Sequence, residues 1–204
     1  MKKNLFIILL CFASSEIFAQ SSGNAFTILL GGAVGKFNID AGGNFNTIYT
    51  DRKLSYTAVA GLGTGSLFVI GKYRTFEASG QSLVSNIAAT GSAQWKQTIL
   101  LTGLRFGPGN SAFYLDALYV FNHAQETIGT VNPAIDVLAA SQKVDDNGYA
   151  FAVGLSPKIA DPLAINFEAE YSVMARKATL ADGNTVPNLG GLYLSAGISF
   201  YFHN

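Results

Sequence analysis

Charge is scarce in this chain. Only 13% of its 204 residues are charged, about half the usual share near 25%, and 13 basic residues balance 13 acidic ones. With no cluster of Lys and Arg, the chain lacks the basic footprint that nucleic acid demands, so no nucleic-acid partner is expected. Its one cysteine, Cys11, excludes a disulfide framework, and its two histidines, His123 and His203, exclude a multi-histidine metal site. After the N-terminus no apolar run reaches the roughly 18 residues that a membrane helix needs. Yet 49% of the residues are hydrophobic and 22 are glycine. Such a chain is too apolar for disorder and poor in charge for a soluble enzyme, which turns attention to membrane β-structure.

The first residues read as a targeting segment. Met1-Lys2-Lys3-Asn4 is a short basic start, Leu5 to Ala13 an apolar stretch, and Ile17-Phe18-Ala19 ends on a small residue before Gln20. This is the pattern of a cleaved secretory signal over residues 1–19. Leu10 stands before Cys11 where lipidation wants a small residue, so no lipid anchor is expected. Residues 20–204 then form the mature domain, with 11 basic residues, 12 acidic residues and no cysteine. An exported domain without disulfides needs another source of stability, and a closed hydrogen-bonded barrel is one.

From Ala25 onward the chain reads as eight segments of period two with no helix. In Ala25–Asn38, Phe26, Ile28, Leu30 and Val34 oppose Thr27, Gly31, Ala33 and Gly35. Leu54–Gly63 sets Leu54, Tyr56, Ala58 and Leu62 against Ser55, Thr57, Gly61 and Gly63. Ser66–Phe76 sets Leu67, Val69 and Tyr73 against Lys72 and Arg74. Trp95–Phe106 is apolar on both faces, with Leu100, Leu104 and Phe106 opposing Arg105. Phe113 to Phe121, Tyr149 to Leu155, Leu163 to Val173 and Leu192 to Phe202 alternate more cleanly, the last against Tyr193, Ser195, Gly197, Ser199 and Tyr201.

The links alternate in length. Thr64-Gly65, Gly107-Pro108-Gly109-Asn110 and Ala160-Asp161-Pro162 are turns, whereas 39–53, 77–94, 122–147 and 176–190 read as long polar loops. All four long loops therefore fall at one end of an antiparallel meander. Within 122–147, Ile128, Val131, Ile135, Val137 and Leu138 are apolar enough for that loop to pack on itself or on a partner.

Volume decides which face points outward. An eight-stranded barrel has an interior only just wide enough for side chains to fill. About five large apolar residues per strand do not fit there, while the opposite face, rich in Gly, Ala, Ser and Thr, suits a narrow lumen. The large face must point outward, where only lipid can cover it. Phe26, Phe106, Phe113 and Phe202 then fall in one aromatic belt near the turns, and Tyr56, Tyr73, Phe121, Tyr149 and Tyr171 in another near the loops.

With its signal, its meander and its final Gly197-Ile198-Ser199-Phe200-Tyr201-Phe202, the chain resembles the small eight-stranded outer-membrane β-barrels, a group that includes the OmpA transmembrane domain, OmpX and the opacity-type barrels. The resemblance covers about residues 24–202. It implies an all-β, antiparallel up-and-down transmembrane barrel in the outer membrane of a Gram-negative bacterium, with short periplasmic turns and long outer loops. It also implies that Ile198, Phe200 and Phe202 serve as the signal read by the barrel-assembly machinery, although His203 and Asn204 follow where many relatives end on Phe. No periplasmic domain is expected after the barrel. The other partners expected are outer-membrane lipid and an unidentified surface ligand, with the barrel monomeric.

Little else carries chemistry. Gly61-Leu62-Gly63-Thr64-Gly65 and Gly31-Gly32-Ala33-Val34-Gly35-Lys36 depart from nucleotide-binding spacings, so no cofactor is expected. His123 has Glu126 near it but no adjacent Ser, so the pattern of the lipid A deacylases does not match, and no enzymatic activity is expected. Asp145-Asp146-Asn147-Gly148 reads as a turn rather than a calcium loop. One constellation remains. By parity Lys72, Arg74, Arg105, Asp116, Glu168 and Glu170 all face the lumen, where unpaired charges are costly, so they should pair and plug it. The sequence thus points to a non-enzymatic, porin-like outer-membrane barrel with a charge-plugged lumen. A narrow solute channel and a surface adhesin acting through the loops are the alternatives.

Overall fold

Eight strands close into one antiparallel ring in the computed structural model, which describes residues 26–84, 89–107, 112–129, 140–179, 185–186 and 188–203. The signal segment, the turn residues 108–110 and the loop positions Val131, Ile135, Val137 and Leu138 lie outside the described residues. The strands are β1 (Phe26–Ile39), β2 (Ser55–Thr64), β3 (Leu67–Val84), β4 (Ala89–Phe106), β5 (Phe113–Gly129), β6 (Ala140–Leu155), β7 (Leu163–Met174) and β8 (Gly191–His203). Each pairs with the next in the chain, and β8 closes on β1 in a register running from Thr27 opposite His203 to Ile39 opposite Gly191. Closure gives each strand a hydrogen-bonded neighbour on both sides through the lower wall, a condition for backbone placed in hydrocarbon.

Alternation sets the two faces. Phe26, Ile28, Leu30, Tyr56, Leu62, Tyr73, Leu100, Phe113, Leu115, Phe151, Val153, Phe167, Leu194 and Ile198 are among the large apolar residues on the outside. The nine residues of the two expected belts are all exposed there. Arg105 is buried and Leu100 and Phe106 are exposed, which fixes the register of β4. No helix among the described residues is long and apolar enough to cross a membrane.

Four features differ from the sequence reading. First, β3, β4, β5 and β6 run well past the upper aromatic belt, so 77–84, 89–94, 122–129 and 140–147 are strand rather than loop. Above the belt the outward positions turn polar, as in Glu77, Ser79 and Gln81 of β3, Gln94 and Lys96 of β4, His123 and Gln125 of β5, and Lys143 and Asp145 of β6. This four-stranded flap is suited to water on its outer face. Ile128 is not a loop residue but an inward-facing, buried part of β5.

Second, Asp145-Asp146-Asn147-Gly148 is strand and not turn, because Phe121, Asn122 and His123 of β5 pair with Asn147, Asp146 and Asp145. Ladder pairing outweighs the local turn preference. Third, a short helix, α1 (Gly43–Ile48), follows β1. Fourth, the lumen is not lined mainly by small residues. Phe37, Phe68, Phe76, Trp95, Tyr114, Tyr193 and Tyr201 point inward and are buried, with Leu29, Ile70, Ile99, Leu101, Leu118 and Val120 between them. Inward Gly31, Gly35, Gly61 and Gly197 sit tightly against the neighbouring strand, where a side chain would clash. A Cβ on Gly35 would lie 2.2 Å from the Leu194 carbonyl oxygen, and one on Gly31 would lie 2.4 Å from Ser199 Oγ.

Candidate functional site

The six lumen charges meet in one network in the half of the barrel nearer the short turns. β3 supplies Lys72 and Arg74, β4 Arg105, β5 Asp116, and β7 Glu168 and Glu170. Period-two geometry turns each of these side chains inward, and pairing sets their heights. Arg105 lies directly opposite Asp116 in the β4–β5 register. Lys72 and Arg74 face β7 across the barrel.

The pairs are close. Lys72 Nζ lies 2.8 Å from Asp116 Oδ2, 2.8 Å from Glu168 Oε1 and 3.1 Å from Glu170 Oε2. Arg74 Nη1 donates to Glu170 Oε1 at 2.8 Å. Arg105 grips Asp116 with two parallel bonds, Nε to Oδ1 at 2.7 Å and Nη2 to Oδ2 at 2.8 Å, and also reaches Glu168 Oε2 at 3.3 Å. All six carboxylate oxygens therefore have a cationic partner. Such charge-assisted and bidentate bonds are the strong ones, and they offset the cost of taking the ions out of water.

Neutral groups complete the shell. Tyr114 OH donates to Glu168 Oε2 at 2.9 Å, and the Arg105 guanidinium carbon stands 3.7 Å from the centre of the Tyr114 ring. Arg74 Nε donates to Thr57 Oγ1 at 3.2 Å, Thr57 Oγ1 donates to Tyr193 OH at 3.0 Å, and the Arg74 guanidinium lies 3.6 Å over the Tyr193 ring. Both geometries fit cation–π attraction. The Tyr114 ring lies over Gly154, where a Cβ would come within 2.2 Å of it. Thr57 and Tyr193 stand on the inward face of the alternation in the sequence, and Tyr114 shares that parity in β5. Their signal was simply that parity sets them beside buried charges.

Beside the network a cavity of about 20 Å³ is lined by Thr57, Val59, Tyr114, Asn166, Glu168 and Ser199, among others. That is room for about one water molecule, not for passage of a solute. Nearer the loops, aromatic and aliphatic side chains fill the lumen. Above them the segment after β1 folds inward. Phe45 of α1 packs edge-on against Trp95, with centroids 5.1 Å apart, and Tyr49 lies 5.8 Å from the same ring. Tyr49 OH donates to the buried carboxylate of Glu126. A Cβ on Gly80 would lie 1.7 Å from the Ile48 carbonyl oxygen, so the glycine permits this docking. Gln97 Nε2 donates to the Leu189 carbonyl at 3.0 Å, tying the segment before β8 into the same closure.

The other candidates separate. Ile198, Phe200 and Phe202 lie along β8 on its outer face, opposite Gly32, Leu30 and Ile28 of β1. His123 faces outward and its Nδ1 pairs with Asp145 on the neighbouring strand, whereas Glu126 points inward to Tyr49, so the two do not form one site. Among the described residues no three His, Cys, Asp or Glu side chains are arranged to hold a metal ion. At the exposed rim, Lys53 Nζ pairs with Glu77 Oε2 at 2.8 Å, which raises the lysine pKa and lowers the carboxyl pKa through that hydrogen bond.

No known protein-family profile and no curated protein matches the chain. Among solved structures it is similar to Ail, the attachment invasion locus protein of Yersinia pestis, at TM-score 0.54 and 13% identity over 88% of this chain and 99% of that one. The complex of Ail with the heparin analogue sucrose octasulfate matches equally. A major outer membrane protein from Thermus thermophilus matches at TM-score 0.56 and 10% identity, over 87% of this chain and 100% of that one. The fold is that of the small eight-stranded outer-membrane β-barrels.

Proposed function

We propose that this chain is a monomeric, sealed barrel of a Gram-negative outer membrane, a membrane-anchored structural and surface-presenting protein rather than a pore or an enzyme. The observation that carries the reading is the charge network that spans the lumen from β3 to β7, with apolar packing and α1 between it and the outer mouth. Solutes and ions meet side chains at every level of such an interior. The outer wall supports the location, since its large apolar residues need lipid between the two aromatic belts. In this reading residues 1–19 direct export and are removed, and the barrel-assembly machinery engages β8 through Ile198, Phe200 and Phe202.

The test joins fractionation with topology. The protein should stay with outer membranes through carbonate washing, and unboiled samples should migrate differently from boiled ones on a denaturing gel. Cysteines at Lys143 or Gln94, on the flap, should react with an impermeant thiol reagent on intact cells, and one at Asn110 should not. Labelling at Asn110 alone would invert the barrel, and extraction by carbonate would remove it from the membrane.

A second reading, surface attachment, draws on the polar flap of β3 to β6, which rises above the belt as a two-faced platform. Cells carrying the intact barrel should then adhere to a host-cell layer more than cells whose barrel lacks residues 79–94. Equal adherence would dismiss it.

A further inference from the structure

We infer that the outer wall carries a binding site for a phosphate-bearing headgroup of the surrounding lipid, between Lys36 and Arg52. The inference rests on the outer-membrane reading above and adds a ligand to it.

The argument starts from β1. Its outward column runs Phe26, Ile28, Leu30, Gly32, Val34, Lys36 and Asn38, apolar until a single cation interrupts it. Val34 pairs with Tyr56 of the upper belt, and Lys36 pairs with the exposed Leu194. Lys36 therefore stands one outward step, roughly 7 Å, above the belt, at the level where hydrocarbon gives way to headgroups. Among the described residues its ammonium has no hydrogen bond and no ion pair. A cation there, with an apolar stem against the wall and its ammonium turned to the interface, is placed for a lipid anion.

Beside it lies a polar recess of about 460 Å³, lined by Lys36, Asn38, Asn46, Thr50, Asp51 and Arg52, together with Tyr49. That volume falls within the range of small-ligand sites and suits a phosphorylated sugar. Arg52 is oriented rather than loose. Its Nε donates to the Tyr49 carbonyl at 3.3 Å and its Nη2 to the Asn46 side-chain oxygen, leaving Nη1 without a partner among the described residues. Asp51, the one carboxylate of the recess, accepts from Ser79 Oγ at 3.2 Å. Two cations against one carboxylate, with amide and hydroxyl donors between them, form a donor set for a phosphate monoester. Free phosphate shares that chemistry, but the lipid-facing position of Lys36 commits the site to phosphate carried by the membrane.

The experiment places the full barrel in phosphatidylcholine nanodiscs that contain a small fraction of lipid A, with its two phosphates intact or removed. Native mass spectrometry then reads the lipid A retained. The wild-type barrel should retain the phosphorylated form in preference, and Lys36→Gln with Arg52→Gln should lower that preference roughly thirtyfold. Lys143→Gln, on the far wall, should leave it unchanged. Both lining side chains lie outside the barrel core, and the unboiled gel band confirms that the double variant is folded. Lys36→Gln alone serves if it is not.

Equal retention of the two forms, or a preference indifferent to the double substitution, would overturn the site. Binding of inorganic phosphate in detergent, dependent on Lys36 and Arg52 but without preference among lipids, would overturn the lipid source. Failure of the folded barrel to enter nanodiscs would instead overturn the outer-membrane reading beneath it.

Discussion

Replacing Glu170 with alanine should lower the unfolding free energy of the barrel by about 3–5 kcal/mol, the range for breaking a buried ion pair by removing one partner. Glu170 accepts from Arg74 at 2.8 Å and Lys72 at 3.1 Å, and all three side chains are fully enclosed. Without it Arg74 keeps only its bond to Thr57 and its stacking on Tyr193, since Nη2 already has no partner. The network is then left with three cations against two carboxylates.

The paired variant, Arg74→Met with Glu170→Met, should behave differently. It removes both signs, and Lys72 retains Asp116 and Glu168 at 2.8 Å each. Most of the stability lost in Glu170→Ala should return, because apolar side chains of similar volume replace an ion pair at little net cost. Denaturant titration of the refolded barrel, followed by gel mobility, measures both. Equal losses in the two variants would show that volume rather than charge balance holds the network.

Trp95→Ala should cost a similar amount, about 3–5 kcal/mol, because it empties a large site in a packed core. Trp95 is 1% exposed and touches Phe45 and Tyr49 of the inward-folded segment. Being the only tryptophan in the chain, it also reports on that segment in the unmodified barrel. Phe45→Ala should shift its emission to the red as α1 leaves the mouth, while the barrel band on an unboiled gel remains. An unshifted spectrum would mean that α1 does not close the mouth in the membrane.

How much of this could be read from the chain depended on what each strand faces. Where one face meets lipid, as in Phe113 to Phe121, the alternation is plain, and the ring of eight strands and the inward parity of the charges follow from it. Above the upper belt the outside becomes water. Glu77, Ser79, Lys96, Gln125 and Lys143 then stand outward where Leu or Phe stood lower down, the apolar contrast disappears, and a strand reads as a polar loop. The same shift hid Glu126, which continues the inward parity of Asp116 along β5 to the mouth. The helix α1 is six residues long with no side-chain cap, too short for a periodic signal, though Phe45 and Ile48 carry its buried side. The aromatic filling of the lumen went unread because each strand was weighed alone. Tyr114 and Phe68 fit only because Gly154 and Gly63, on the strands next to them, carry no side chain.

Sealing of the lumen is tested most directly by the conductance of the purified, folded barrel in a planar lipid bilayer. With Lys72, Arg74 and Arg105 locked to Asp116, Glu168 and Glu170, and α1 docked over the mouth, the unmodified protein should insert and carry no steady current above the bare bilayer. A large, stable and ion-selective current from that protein would contradict the account and make the barrel a channel.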